Sequence, residues 1–72
     1  MKFNYNRLKG KIIAENKNQT IVANELGMSI TAFNKKINNR IPFKTEEYYK
    51  MINFLNIKPE EINDIFFTLD IN

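Results

Sequence analysis

The chain contains no cysteine, no histidine and no tryptophan among its 72 residues. Without cysteine it can form neither a disulfide framework nor a thiolate metal site. Without histidine it lacks the commonest acid/base group and metal ligand at neutral pH. No apolar run approaches the roughly 20 residues that a membrane-spanning helix requires. We therefore expect a cytoplasmic protein with no metal, no cofactor, no membrane contact and no evident small-molecule substrate.

The acidic residues do not indicate a catalytic site either. Glu60, Glu61 and Asp64 could be imagined as metal-binding carboxylates. Two of them follow Pro59, however, where a helix is expected to start and where the helix dipole favours acids. No histidine or basic catalytic partner lies nearby in the sequence. We expect no catalytic residue and no enzymatic activity.

Charge is unevenly distributed along the chain. Residues 1–44 carry nine Lys and Arg against two Glu, a net charge of +7, whereas residues 45–72 carry two Lys against six acids, a net charge of −4. A protein that lays one face on phosphate groups would show such a division. The chain makes up a single domain, residues 1–72, near the small end of what folds on an apolar core alone, so dimerisation would help to stabilise it.

The most informative pattern lies in residues 19–38. Ala23 and Leu26 fall on one face of a short helix, and Ala23 is small enough for a second helix to cross close above it. Gly27 follows where a chain leaving a helix commonly adopts a left-handed conformation. Ser29 can then cap the second helix. The pattern predicts a helix-turn-helix, a motif that places its second helix in the DNA major groove.

The second helix of this motif has an inward and an outward side. Phe33 and Ile37 are one turn apart and face the core. The outward side offers an apolar contact for thymine methyls, a hydroxyl, an amide suited to adenine and a cation suited to guanine or phosphate. The residues that supply these groups are Ile30, Thr31, Asn34 and Lys35. The alternative interpretation is an ordinary helical hairpin, in which the small residues only permit close packing.

Three more helices are predicted around the motif. Apolar spacing predicts one helix over about residues 5–16 and another over about residues 45–56. Thr45 is the expected N-cap of the latter. Pro59 marks the start of a fifth helix that ends near Thr68.

Three further expectations concern two single residues and one segment outside the motif. Asn39 can adopt the left-handed conformation that ends the third helix. Gly10 lies inside the first helix, which suggests close approach of another element. Residues 67–72 retain several large apolar side chains, so this tail is either a subunit interface or a cap on the core of its own chain.

With this motif and five helices, the chain resembles the lambda-repressor-like family, the Cro and C1 type regulators of phages and bacteria that are also called the XRE family. It looks most similar to the short phage-type members, and the resemblance covers nearly the full length. The matching segments are residues 5–13 (Tyr-x-x-Leu-Lys-Gly-x-Ile-Ile), Gln19, Ala23, Leu26, Gly27, residues 36–38, Pro42, Phe43, residues 55–57, residues 59–62 and residues 66–68.

This resemblance implies an all-α, five-helix DNA-binding domain with the helix-turn-helix at helices 2 and 3. It implies a homodimer on a roughly palindromic operator, with Gln19 and Asn38 in contact with phosphate. The base-reading positions that it implies are Ile30, Thr31 and Lys35. Basic residues close to the motif are expected to add phosphate contacts. These residues are Lys36, Arg40 and Lys44.

The sequence therefore predicts a sequence-specific transcriptional regulator, a phage or prophage Cro-like repressor that binds double-stranded DNA as a homodimer. The alternative is a protein-interaction module, such as an antirepressor or an antitoxin-type helix-turn-helix protein, which uses the same face or the apolar tail on a protein partner. DNA affinity that falls steeply with salt would favour the first function. No DNA affinity at low salt would favour the second.

Overall fold

The computed structural model describes residues 2–70. Its elements in chain order are β1 (Lys2–Phe3), α1 (Asn6–Ala14), α2 (Gln19–Glu25), α3 (Ile30–Ile37), α4 (Thr45–Phe54), a 3₁₀ turn (Pro59–Glu61), α5 (Ile62–Phe66) and β2 (Leu69–Asp70). The expectation of a mostly helical fold with five helices is confirmed. The two strands were not predicted, because elements of two residues are too short to show a periodicity.

The first four helices all end with a residue in the left-handed region. The φ angles are 59° at Asn16, 73° at Gly27, 64° at Asn39 and 54° at Asn56. After each of these residues, the next backbone N–H donates to the carbonyl five residues earlier at 2.8–3.0 Å. This combination is the Schellman motif, which satisfies carbonyls that the helix leaves without partners. The left-handed conformations predicted at Gly27 and Asn39 are confirmed.

The starts of α3 and α4 use different capping groups. Ser29 Oγ accepts from the backbone N–H of Ala32 at 3.1 Å, so the predicted cap of α3 is confirmed. The prediction of Thr45 as the N-cap of α4 is wrong, because Thr45 is the first helical residue and Lys44 precedes it as the cap. Instead, Glu47 Oε1 accepts from the backbone N–H of Lys44 at 2.9 Å. A carboxylate in the first turn also suits the positive end of the helix dipole.

One apolar core receives side chains from all five helices. Its largest fully buried members are Phe33, Phe66, Leu8, Ile12, Met51, Leu55 and Val22. Phe43, in the loop after α3, places its ring 5.5–5.9 Å from the rings of Tyr5, Phe33 and Tyr48. Tilted and edge-on aromatic pairs of this kind each add about 0.5–1.5 kcal/mol beyond the area that they bury. Helix α3 is therefore anchored to the core through Phe33 and the loop that follows.

The two strands join the beginning and the end of the described chain. They pair antiparallel, with Lys2 opposite Asp70 and Phe3 opposite Leu69. The ring of Phe67 lies 5.6 Å from that of Phe3. Phe67 and Leu69 nevertheless remain 41% and 46% exposed, so the described part of the tail packs against its own chain without being buried by it. Ile71 and Asn72 lie outside the described residues, and a role for residues 67–72 in dimerisation stays a prediction.

Gly10 has no close neighbour. It is exposed, and the space within 4 Å of the position that a Cβ would occupy is open. The expectation that another element approaches this glycine closely is wrong, because the packing between α1 and the rest of the core runs through Leu8 and Ile12 on the other side of the helix.

Within residues 2–70, no helix is long and apolar enough to cross a membrane. The same residues contain no group of three or more side chains that could together bind a metal ion.

Candidate interaction surface on helix α3

Helix α3 presents a polar side to solvent and an apolar side to the core. Phe33 and Ile37 are buried on the inner side. All four residues expected to read bases are exposed. They are Ile30, Thr31, Asn34 and Lys35. Ile30 is 37% exposed, so this first residue of the helix does not turn into the core.

A shallow groove of about 280 Å³ runs along the outer side of α3. We call this groove the α3 face, and the residues that line it are Thr31, Asn34, Lys35, Asn38 and Arg40. Together they supply a hydroxyl, two amides and two cations, and none of them is acidic. Hydroxyl and amide groups both donate and accept hydrogen bonds, whereas the cations only donate. The α3 face is therefore suited to a partner rich in oxygen acceptors.

The backbone after α3 keeps Arg40 close to this face. Its N–H donates to the Lys35 carbonyl at 2.8 Å, across the left-handed turn at Asn39. The Asn39 side chain points the other way and pairs with the N-terminal strand, since its Oδ1 accepts from the Phe3 N–H at 3.2 Å and its Nδ2 donates to the Phe3 carbonyl at 2.6 Å. The loop that carries Arg40 is thus held on both sides.

The four predicted contact residues that do not line the α3 face are Gln19, Lys44, Ile30 and Lys36. Gln19, the first residue of α2, is half-buried. Lys44 is exposed but lines a separate groove together with Glu46, Glu47 and Lys50. Ile30 is exposed but does not line the α3 face. The structure therefore brings together the middle of α3 and the residues just after it, rather than the whole predicted set.

Lys36 requires a correction. It was expected to contact phosphate, but it is only 9% exposed. Its ammonium donates to both carboxylate oxygens of Glu47 at 2.7 Å. The reason lies in the helix geometry, since neighbouring residues point about 100° apart and Lys36 follows the outward Lys35 toward α4. Lys36 therefore belongs to the interior of the protein and not to the α3 face.

Glu47 is the residue near this site that the sequence analysis missed. Burial raises the pKa of its carboxyl, but the hydrogen bonds from Lys36 and from the backbone N–H of Lys44, with the nearby positive charges, outweigh that effect and hold the pKa below its ordinary value. The carboxylate is therefore charged at neutral pH. A signal was present in the sequence, because a Glu three residues after a helix cap often reaches back to the cap backbone.

Exposed isoleucines lie at both ends of α3. Ile30 begins the helix with 37% of its surface exposed, and Ile41, shortly after its end, is 42% exposed. The polar groove lies between them along the helix. A polar centre with apolar side chains at its margins is compatible with a protein partner as well as with the grooves of DNA.

Comparisons with known proteins identify a family for this chain and solved structures of similar fold. The model of the family described as "Protein of unknown function (DUF739)" matches residues 1–69. The solution structure of the modulator of repression (MOR) of the temperate bacteriophage TP901-1 from Lactococcus lactis superposes with a TM-score of 0.75 at 30% sequence identity. That match covers 93% of this chain and 90% of the other. No curated protein gives a significant match.

Proposed function

The chain belongs to the DUF739 family, and from that premise we propose that it is a small regulatory protein of a temperate phage or prophage that modulates repression by binding another protein. The observation that carries this proposal is the similarity to the modulator of repression of phage TP901-1, at 30% identity over 93% of the chain. This function corresponds to the protein-interaction alternative raised from the sequence rather than to the DNA-binding repressor.

The proposal includes a helix-turn-helix made of α2 and α3. Its support is local: Ala23 on α2 is buried, Gly27 has a φ of 73°, and Ser29 caps α3. The resemblance to the lambda-repressor-like family belongs to the same proposal. A helix-turn-helix protein that binds a repressor instead of an operator would present the same face to a different partner.

The α3 face is the surface that we propose for the partner. Its polar centre contains Lys35 and Arg40, and exposed Ile30 and Ile41 lie at the two ends of the helix. Protein interfaces are enriched in Arg and bury exposed apolar side chains, whereas DNA interfaces are more polar and more positively charged. A mixed surface of this kind favours a protein partner.

Direct binding to DNA through the same face is the second candidate function. It is favoured by one observation, the groove in which two amides, a hydroxyl and two cations meet without an acidic residue. Asn can bond adenine in two places, and Lys or Arg can bond guanine or phosphate. A homodimer on a palindromic operator would be the corresponding assembly.

The first experiment measures binding to the repressor of the phage or prophage that encodes the chain, by isothermal titration calorimetry. We expect Lys35→Ala combined with Arg40→Ala to weaken binding about 10- to 100-fold, since truncating a side chain near the centre of an interface commonly costs about 1 kcal/mol. The matched control is Lys50→Ala combined with Lys58→Ala, which removes the same charge from exposed positions outside the α3 face. Equal weakening by both pairs would contradict a specific role for this face.

The second experiment separates the two candidate functions. Binding of the wild-type chain to operator duplexes is measured between 50 and 200 mM salt. Over this range, a protein that makes 6–10 phosphate contacts loses about 10³–10⁵-fold in DNA affinity. Repressor binding without DNA binding supports the leading proposal. DNA binding with a steep salt dependence and no repressor complex supports the second candidate, and binding to neither partner contradicts both.

A further inference from the structure

The ion pair between Lys36 and Glu47 joins α3 to α4 inside the protein. Lys36 Nζ lies 2.7 Å from both Oε atoms of Glu47, and each residue is 9% exposed. The ion pairs of Lys11 with Glu15 and Glu61 are longer, at 3.5 and 4.0 Å, and more exposed. The Lys36–Glu47 pair therefore differs from these surface pairs in both distance and burial.

The carboxylate of this pair is held in place by the helix on which it lies. Glu47 Oε1 also accepts from the backbone N–H of Lys44, so the cap of α4 determines where the carboxylate points. Both oxygens are occupied by the ammonium, and one of them by the backbone as well. Lys36 thus meets an acceptor whose location is determined within α4 itself.

The remaining contacts between α3 and the core constrain its rotation less. Within the helix they come from Phe33 and Ile37, which are fully or almost fully buried, whereas the hydrogen bonds from Asn39 to Phe3 hold the turn after the helix. Apolar burial is non-directional, so such a contact tolerates a change in the helix rotation more readily than a hydrogen bond does. Successive helix residues point about 100° apart, and holding Lys36 inward therefore holds Lys35 outward.

Stability alone is a weak reason for a buried ion pair. The cost of removing both charges from water offsets much of their attraction, and apolar replacements of similar volume are often neutral or stabilising. What such a pair can provide is a single geometry, because two directional bonds are lost if the helix turns.

We propose that Lys36 and Glu47 are positioning residues that fix the rotation of α3 against α4 and thereby the outward presentation of Thr31, Asn34 and Lys35. The proposal rests on the proposed function in one respect, that the α3 face is the binding surface. Neither residue contacts the partner; each acts through the orientation of the helix.

The test is a double variant, Lys36→Met with Glu47→Gln. Methionine keeps an unbranched apolar stem, and glutamine keeps an oxygen that can accept from the Lys44 N–H. We expect the melting temperature to shift by less than about 5 °C. We expect the amide residual dipolar couplings of α3 to depart from the wild-type orientation, or its resonances to broaden, while the couplings of α1 stay unchanged. A purely structural role would instead leave α3 in its place or disturb all helices together, and either result would overturn the proposal.

Two further variants keep the test decisive. Lys36→Arg retains a cation with two donors for the carboxylate and is expected to preserve the α3 couplings. If the double variant does not fold, Lys36→Met alone removes both hydrogen bonds between the helices while Glu47 keeps the bond from the Lys44 N–H, and the same selective change in α3 is expected. Unchanged α3 couplings in that variant would overturn the proposal.

All of these measurements use the free protein. A failure of the proposed function would therefore appear as absent repressor binding by the wild type, independently of the couplings. A failure of the positioning role would appear as unchanged α3 couplings, whatever the wild type binds.

Discussion

At the scale of single residues, asparagine does much of what glycine does elsewhere. Asn16, Asn39 and Asn56 end α1, α3 and α4 in the left-handed conformation that Gly27 adopts after α2. Asn tolerates this conformation better than other residues with a Cβ, because its short polar side chain can bond locally. A chain with only two glycines can thus still end four helices sharply.

Alanine substitutions at the two glycines are expected to change the free energy of unfolding in opposite directions. Gly27→Ala is expected to lower the free energy of unfolding by about 1–2 kcal/mol, because the left-handed conformation is unfavourable for alanine even though the space beside it is open. Gly10→Ala is expected to raise it by about 0.5–1 kcal/mol, because Gly10 lies in open space within α1. Urea denaturation of both variants measures the difference. Two changes of the same sign would contradict the assigned backbone conformations.

At the scale of elements, the end of α3 is attached to the N-terminal strand by one side chain. Asn39 bonds both the N–H and the carbonyl of Phe3, as a neighbouring strand would. Strand β2 lies against the other edge of β1. A two-stranded sheet alone is marginal in water, so the bonds from Asn39 help to hold β1 in place.

Replacing Asn39 with glycine tests this attachment. Asn39→Gly keeps the left-handed backbone but removes both side-chain hydrogen bonds, and we expect it to cost about 1–2 kcal/mol of unfolding free energy. The control is Asn16→Gly, at an exposed position with a similar φ of 59°, which is expected to be nearly neutral. Hydrogen exchange at the Phe3 amide is expected to speed up in the first variant alone. Equal effects of the two changes on stability and exchange would argue against the attachment.

At the scale of the whole molecule, two carboxyl groups link stability to pH. The hydrogen bond from Asn56 lowers the pKa of Glu15, with Lys11 acting in the same direction against partial desolvation. At Glu47, burial raises the pKa, but the hydrogen bonds from Lys36 and the Lys44 backbone lower it by more, so the net effect is a lowered pKa. Both carboxyl groups are therefore easier to ionise in the folded protein than in the unfolded chain.

The expected consequence is a loss of stability in acid. A folded pKa below the unfolded value of about 4.3 means that the stabilisation is present above that pH and disappears as the pH falls through the folded pKa. Thermal melting between pH 7 and pH 2 measures this decline. Glu47→Gln is expected to make the decline shallower, because the variant has no charge at this position to lose. A decline as steep as that of the wild type would contradict the lowered pKa of Glu47.

The sequence by itself determined the helices and the exposed residues of α3. Apolar spacing, Gly27, Ser29 and Asn39 are local signals, and they act within one or two helical turns of their own positions. Exposure of Thr31 and Lys35 followed from the same spacing, because Phe33 and Ile37 define the inner side of α3. The charge distribution along the sequence identified residues 1–44 as basic, but it could not show which of their lysines are exposed to solvent.

Only the tertiary structure determined that Lys36 is buried and where the C-terminal tail packs. Lys36 turns inward because Glu47, eleven residues later on another helix, supplies a carboxylate at 2.7 Å. Phe67 and β2 pack against the N-terminal segment because Phe3 lies beside them at the other end of the chain. These contacts join residues that are far apart in sequence, and a long-range partner leaves no trace in a local pattern.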